Sequence, residues 1–149
     1  MLRLILVLFF LTVHCANAHC WQQAGERYGI EPELLQAIAT VESGLSATAF
    51  NKNRDGSTDV GLMQINSQHF KYLKKYRITP GSLLNNPCQN IMTGAWVLAG
   101  QMRIFGYSWE AVGAYNAGNA RNKKTRLARM KYSQKVARVY QGLKSNDKD

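Results

Sequence analysis

The sequence predicts a mainly α fold, α+β at most, in a single domain. Apolar residues recur at helical spacing in several separate stretches, each bounded by Gly, Pro or Asn. One polar, turn-rich stretch, Ser46 to Val60, interrupts them and suits a small hairpin or an irregular loop. No repeat, low-complexity tract or linker divides the chain.

The first 18 residues are expected to fall outside the fold. Arg3 gives a short positive region, Leu4 to Val13 is apolar except for Thr12, and Ala16-Asn17-Ala18 has the small-x-small form that signal peptidase accepts. The apolar run is shorter than the roughly 20 residues a spanning helix needs, so cleavage before His19 is expected and no stable membrane span. The layout is then a signal peptide over 1–18, a folded domain over 19–143 and a flexible tail over 144–149.

Cys20 to Tyr28 reads as a first helix stopped by Gly29. Glu31-Pro32-Glu33 opens a second, with proline at a tolerated first-turn position and acids at the positive end of the dipole. Leu34, Leu35, Ile38 and Val41 carry its apolar period, and Gly44 ends it, which places Glu42 in the last turn. A further helix is expected over Ser67–Tyr76, a long apolar one over Gln89–Phe105 before Gly106, and a short one over Trp109–Tyr115 capped by Ser108. The last is expected over Ala128–Gly142.

Cys15 leaves with the signal, so Cys20 and Cys88 form the single pair an exported chain can bridge. The loop closed is about seventy residues, which the chain-entropy model values at about 4 kcal/mol. The net charge is +10, and ten of the 19 Lys and Arg residues follow Ala120. Such a balance points to an anionic partner, and export argues against nucleic acid. The basic C-terminal third is either a docking surface for a membrane or partner, or a solvated face. His19 and His69 are too few and too far apart for a zinc site, and no Gly-rich phosphate loop occurs.

A glycosidic bond needs an acid that still holds its proton near neutrality. Partial burial and a helix C-terminus both give a glutamate that property, and Glu42 is placed for both. Position alone would favour a surface carboxylate on a polar helix face. Around it in sequence stand Gly61-Leu62-Met63-Gln64-Ile65-Asn66, Ala114-Tyr115-Asn116-Ala117-Gly118, and Tyr132. Gln64, Asn66 and Asn116 carry amides that can donate to and accept from sugar hydroxyl and acetamido groups.

Glu42-Ser43, the Gly61–Asn66 run and Ala114–Gly118, in that order, resemble family 1 lytic transglycosylases, in particular the small exported type associated with secretion systems and pili. The resemblance runs from Cys20 to about Tyr140. It implies a lysozyme-like single domain acting on peptidoglycan glycan strands as a monomer in the periplasm, without metal or cofactor. A secretion-system or pilus component is the implied partner. It also implies that Glu42 is the catalytic acid and then base, with Ser43, Gln64, Asn66, Tyr115, Asn116 and Tyr132 at the substrate. The implied product is a 1,6-anhydro-muramyl end.

One feature departs from that family. Asn53-Arg54-Asp55-Gly56-Ser57-Thr58-Asp59 resembles the corresponding loop of chicken-type lysozymes, with Asp59 as a candidate second carboxylate. Lysozymes are retaining hydrolases needing two carboxyls about 5 Å apart. Asp59 is thus either a second catalytic carboxylate or a turn residue bonding local backbone. A third alternative is a non-catalytic wall-binding or assembly protein.

Overall fold

The computed structural model describes residues 18–146. The expected signal peptide, apart from Ala18, and the last three residues of the expected tail lie outside them. Helix α1 covers 18–28 of the described residues and stops at Gly29, whose φ of 65° is the left-handed terminator. Helix α2 (Pro32–Ser43) begins on Pro32 and ends at Gly44, whose N–H returns to the Thr40 carbonyl. Leu34, Leu35 and Ile38 are buried along it, so Glu42 stands in its last turn as expected.

Strands β1 (Phe50–Lys52), β2 (Thr58–Val60) and β3 (Ile65–Asn66) follow as one antiparallel sheet in chain order. The expected hairpin is present as β1–β2, and the Gly61–Asn66 run adds a third strand at its end. Asp59 lies at the centre, opposite Asn51 on one side and Asn66 on the other. Because side chains alternate across a strand, Val60 enters the core while Asp59 faces the opposite side.

The turn out of β2 depends on Gly61. Its φ is 77°, and a Cβ there would lie 2.1 Å from the amide nitrogen of Asn90. Asn90, fully buried, accepts from the Met63 N–H at 2.8 Å and donates to the carbonyls of Val60 and Leu83 at 2.9 and 3.2 Å. It thereby satisfies backbone groups that would otherwise be buried without partners.

The segment 67–76 is not the single helix expected. It is a 3₁₀ turn (Ser67–His69), a short helix α3 (Phe70–Leu73) and a second 3₁₀ turn (Lys74–Tyr76). Only Leu73 is buried there, so no continuous apolar stripe sustains a regular helix. Helix α4 (Pro80–Asn85) was not expected. Thr79 and Ser82 cap it reciprocally, ahead of a proline at its first position.

Helix α5 (Pro87–Phe105) starts two residues before Gln89, with Asn86 accepting from the Gln89 N–H. Helix α6 (Trp109–Ala117) is capped by Ser108 and runs two residues past Tyr115. Helix α7 (Lys123–Asn146) begins five residues before Ala128, because Asn122 accepts from the Thr125 N–H at 2.8 Å. It continues beyond Gly142.

The core joins Leu35 and Ile38 of α2, Met63 and Ile65 around β3, Ile91 and Leu98 of α5, Val112 of α6 and Val136 of α7. Close approach of α6 and α7 requires Gly113, where a Cβ would lie 2.4 Å from the Arg129 carbonyl oxygen. Helices α2 and α7 run antiparallel and are tied at both ends. Tyr140 donates to Glu31 at 2.6 Å beside the Lys144–Glu31 ion pair, and Tyr132 donates to Glu42. The expected Cys20–Cys88 disulfide joins α1 to the first turn of α5 across 68 residues. Among the described residues no helix is long and apolar enough to cross a membrane.

Candidate active site

Glu42 is mostly buried where α2 ends against α7, and the Tyr132 hydroxyl donates to its Oε1 at 2.5 Å. Three influences act on its proton. Burial pushes the carboxyl up, the Tyr132 hydrogen bond pulls it down, and the negative charge of Asp59 pushes it up again. The balance carries it from an ordinary 4.5 to about 7. Tyr132 is held neutral by its own burial and by the Glu42 charge, so it remains a proton donor across the physiological range.

Two clefts meet at this carboxyl. The larger, of about 470 Å³, runs between the sheet, with Asp59 on its wall, and the end of α6, with Ala114, Tyr115 and Asn116. The smaller, of about 370 Å³, lies between the end of α2 and the exposed side of α7. Glu42 and Asn116 belong to both.

On the sheet side the polar groups bond one another. Asp59 accepts from the Asn53 amide on one oxygen at 2.7 Å and from the Asn66 amide on the other at 2.8 Å. Asn53 and Asn66 also share the Ser57 hydroxyl, and Asn66 caps the following turn by accepting from the Gln68 N–H. Gln64, with a φ of 49°, donates to the carbonyls of Gly61 and Ala49 and accepts from Asn51 at 2.7 Å.

Two of the expected substrate residues act in this structure as braces. Ser43 donates to the Leu62 carbonyl at 2.7 Å, which fastens the end of α2 to the turn after β2. The Tyr115 hydroxyl donates to the Met63 carbonyl at 2.6 Å, so its ring forms cleft wall while its oxygen holds the same turn. Asn116 differs: it is exposed and makes no hydrogen bond through its side chain among the described residues.

Sequence reasoning missed several groups. His69 lines the larger cleft edge-on to Trp96, and burial lowers its pKa, which favours the neutral ring. Gln101 of α5 also reaches that cleft, with its Oε1 buried and unpartnered among the described residues. Arg129, almost fully buried, donates to the carbonyls of Gly118 and Ala120 and to Glu110, and so fixes the segment after α6. None has a local pattern that announces it, although an arginine amid exposed lysines with a glutamate on the preceding helix is a weak one.

Comparison with known proteins agrees with this geometry. Residues 19–137 match the family described as Transglycosylase SLT domain. The chain is 49% identical over 140 residues to Invasion protein IagB of Salmonella typhimurium (strain SL1344), covering 94% of this chain and 86% of that protein. It is 40% identical over 148 residues to Protein IpgF of Shigella flexneri, covering 99% and 96% respectively. The X-ray structure of an inactive mutant of lytic transglycosylase Slt from Pseudomonas aeruginosa shares the fold, with a TM-score of 0.61 at 23% identity over 86% of this chain. This chain spans 24% of that larger protein. The match over nearly all the described residues means that the chain belongs to the transglycosylase SLT family, as a single-domain lytic transglycosylase with the lysozyme-like fold.

Proposed function

We propose that the chain cleaves the β-1,4 bond between N-acetylmuramic acid and N-acetylglucosamine in peptidoglycan without water, leaving a 1,6-anhydro-muramyl end. The observation that carries this is a single glutamate held near pKa 7 at the junction of two clefts, with a tyrosine hydroxyl on one oxygen. Tyr132 occupies Oε1, which leaves Oε2 to carry the proton toward the bridging oxygen. As the C1–O4 bond breaks, that proton passes to the leaving 4-hydroxyl. The substrate's acetamido group assists at C1. The Glu42 carboxylate, now stabilised by Tyr132, takes the proton of the muramyl 6-hydroxyl as O6 bonds to C1. The 6-hydroxyl outcompetes water because it is already in place.

Asp59 fits an electrostatic role better than a nucleophilic one. Both of its oxygens already accept amide hydrogen bonds, and its charge acts on Glu42 by keeping the acid protonated. Gln64, Ser43 and Tyr115 support the turn that forms the cleft wall, while Asn116 offers a free amide to the sugar. The Cys20–Cys88 bridge and the predicted signal peptide support a periplasmic location. Local opening of the wall for a secretion system or pilus fits a domain of this size, as does the invasion protein among its relatives.

Mass spectrometry of soluble products from purified sacculi tests the reaction. Wild type should release anhydro-muramyl ends, and Glu42→Gln should release none. Reducing muramyl ends from the wild type would instead favour lysozyme-type hydrolysis through Glu42 and Asp59.

A further inference from the structure

Apart from Glu42 itself, the charged residues lining the smaller cleft are of one sign. Its α7 wall presents Lys131 and Lys135, both exposed and without an ion pair among the described residues. The two sit one helical turn apart, so their side chains share a face. No acidic residue lies anywhere between Lys123 and Asn146. Of the other α7 cations, Arg129 pairs with Glu110 and Lys144 with Glu31, and Lys123, Lys124, Arg126 and Arg138 do not line this cleft. Glu42 does not serve as the partner: its Oε1 accepts from Tyr132, and it forms no ion pair among the described residues. Two unpaired ammonium groups therefore line the cleft that Glu42 borders, on the side away from the amide-rich sheet.

We infer that Lys131 and Lys135 form a carboxylate subsite for the branch that the muramyl sugar carries on its lactyl ether. This rests on the transglycosylase proposal above. The N-acetylated sugar rings are neutral, so carboxylates of the stem peptide, or of a lactyl group freed of its peptide, are the anions such a substrate brings to Glu42. The larger cleft, lined by amides, takes the sugar. The smaller one holds the branch and sets which strands bind.

Binding measured in a Glu42→Gln background isolates the subsite from turnover. Three probes are needed: glycan strands with intact stem peptides, the same strands with their carboxyls converted to neutral amides, and strands stripped of stems by an amidase. With Lys131 and Lys135 present, Kd should rise about three- to tenfold on neutralised strands, the range expected for two partly exposed ion pairs. Lys131→Gln with Lys135→Gln should bind intact strands at that weaker level and gain nothing more from neutralisation. Lys131→Arg with Lys135→Arg should restore the preference, which a merely structural role would not require. Stripped strands that bind as tightly as intact ones show that a freed lactyl carboxylate also fills the subsite, and weaker binding confines it to the carboxylates of the stem. A glutamine pair that keeps the wild-type sensitivity to neutralisation, or a parent indifferent to it, overturns the subsite. Product analysis of the enzyme with Glu42 intact judges the reaction separately.

Discussion

The two sides of the cleft act on the Glu42 proton in opposite senses. From α7, Tyr132 donates to the carboxyl and favours its ionised form. From β2, Asp59 adds negative charge and favours the neutral form. The sides also differ in how they are held. The sheet side is a closed network in which Asn53, Asn66 and Gln64 bond neighbours within the loop. The α7 side leaves Lys131 and Lys135 uncommitted. A preorganised wall and an open charged one thus meet at a single acid, which can hold a proton near neutrality and still accept one back.

The largest expected effect comes from removing the acid that both sides address. Glu42→Gln should lower the rate on glycan strands by about 10²- to 10⁴-fold, the usual contribution of a positioned acid–base group. A smaller loss, seen in initial rates, would mean that the two sides catalyse without it.

The same burial has a cost in stability. Unfolded, Glu42 gives up its proton near 4.5; folded, it does so near 7. Between those values the unfolded chain binds fewer protons, so this group's contribution falls as pH climbs from about 4.5 to about 7 and is flat above, a total of about 3 kcal/mol. Urea midpoints of the wild type should decline through that window, whereas those of Glu42→Gln should decline less and lie above the wild type at pH 8. Parallel profiles would show that the carboxyl is not held neutral.

Tyr132→Phe and Asp59→Asn separate the two sides directly. Loss of the Tyr132 hydroxyl should cost about tenfold in rate, as expected for a hydrogen bond to a charged group. It should also move the alkaline limb of the pH–rate profile upward, because a pull on the proton has gone. Loss of the Asp59 charge should cost only a few-fold and move that limb downward. Shifts in the same direction would collapse the contrast, and abolition of activity by Asp59→Asn would make Asp59 a nucleophile.

Glu42 was legible because its position follows from local rules: a proline start at Pro32, an apolar period and a glycine stop at Gly44. The hairpin around Asp59 was legible from turn residues, but β3 was not, since two residues hold no periodicity. Tyr132 lies 90 residues from the acid it touches, and only the family resemblance brought the two together. Asn90 looks like one polar residue in an apolar helix, yet it holds the turn that Gly61 makes possible. The early start of α7 at Lys123 hinges on one capping residue, Asn122, within a polar stretch. Tyr115 and Ser43 were expected at the substrate; the Tyr115 ring lines the cleft, and both hydroxyls turn inward to bond the backbone carbonyls of residues 62 and 63. Charge was countable from the sequence, but which lysines are paired depends on helix contacts far apart in the chain.

Digestion of sacculi in water enriched in ¹⁸O tests the single-acid account most directly. Cleavage by Glu42 with the 6-hydroxyl as acceptor should give anhydro-muramyl ends with no heavy oxygen at C1. One ¹⁸O atom at C1 of reducing muramyl ends as the main product would contradict it and make Asp59 a partner in hydrolysis.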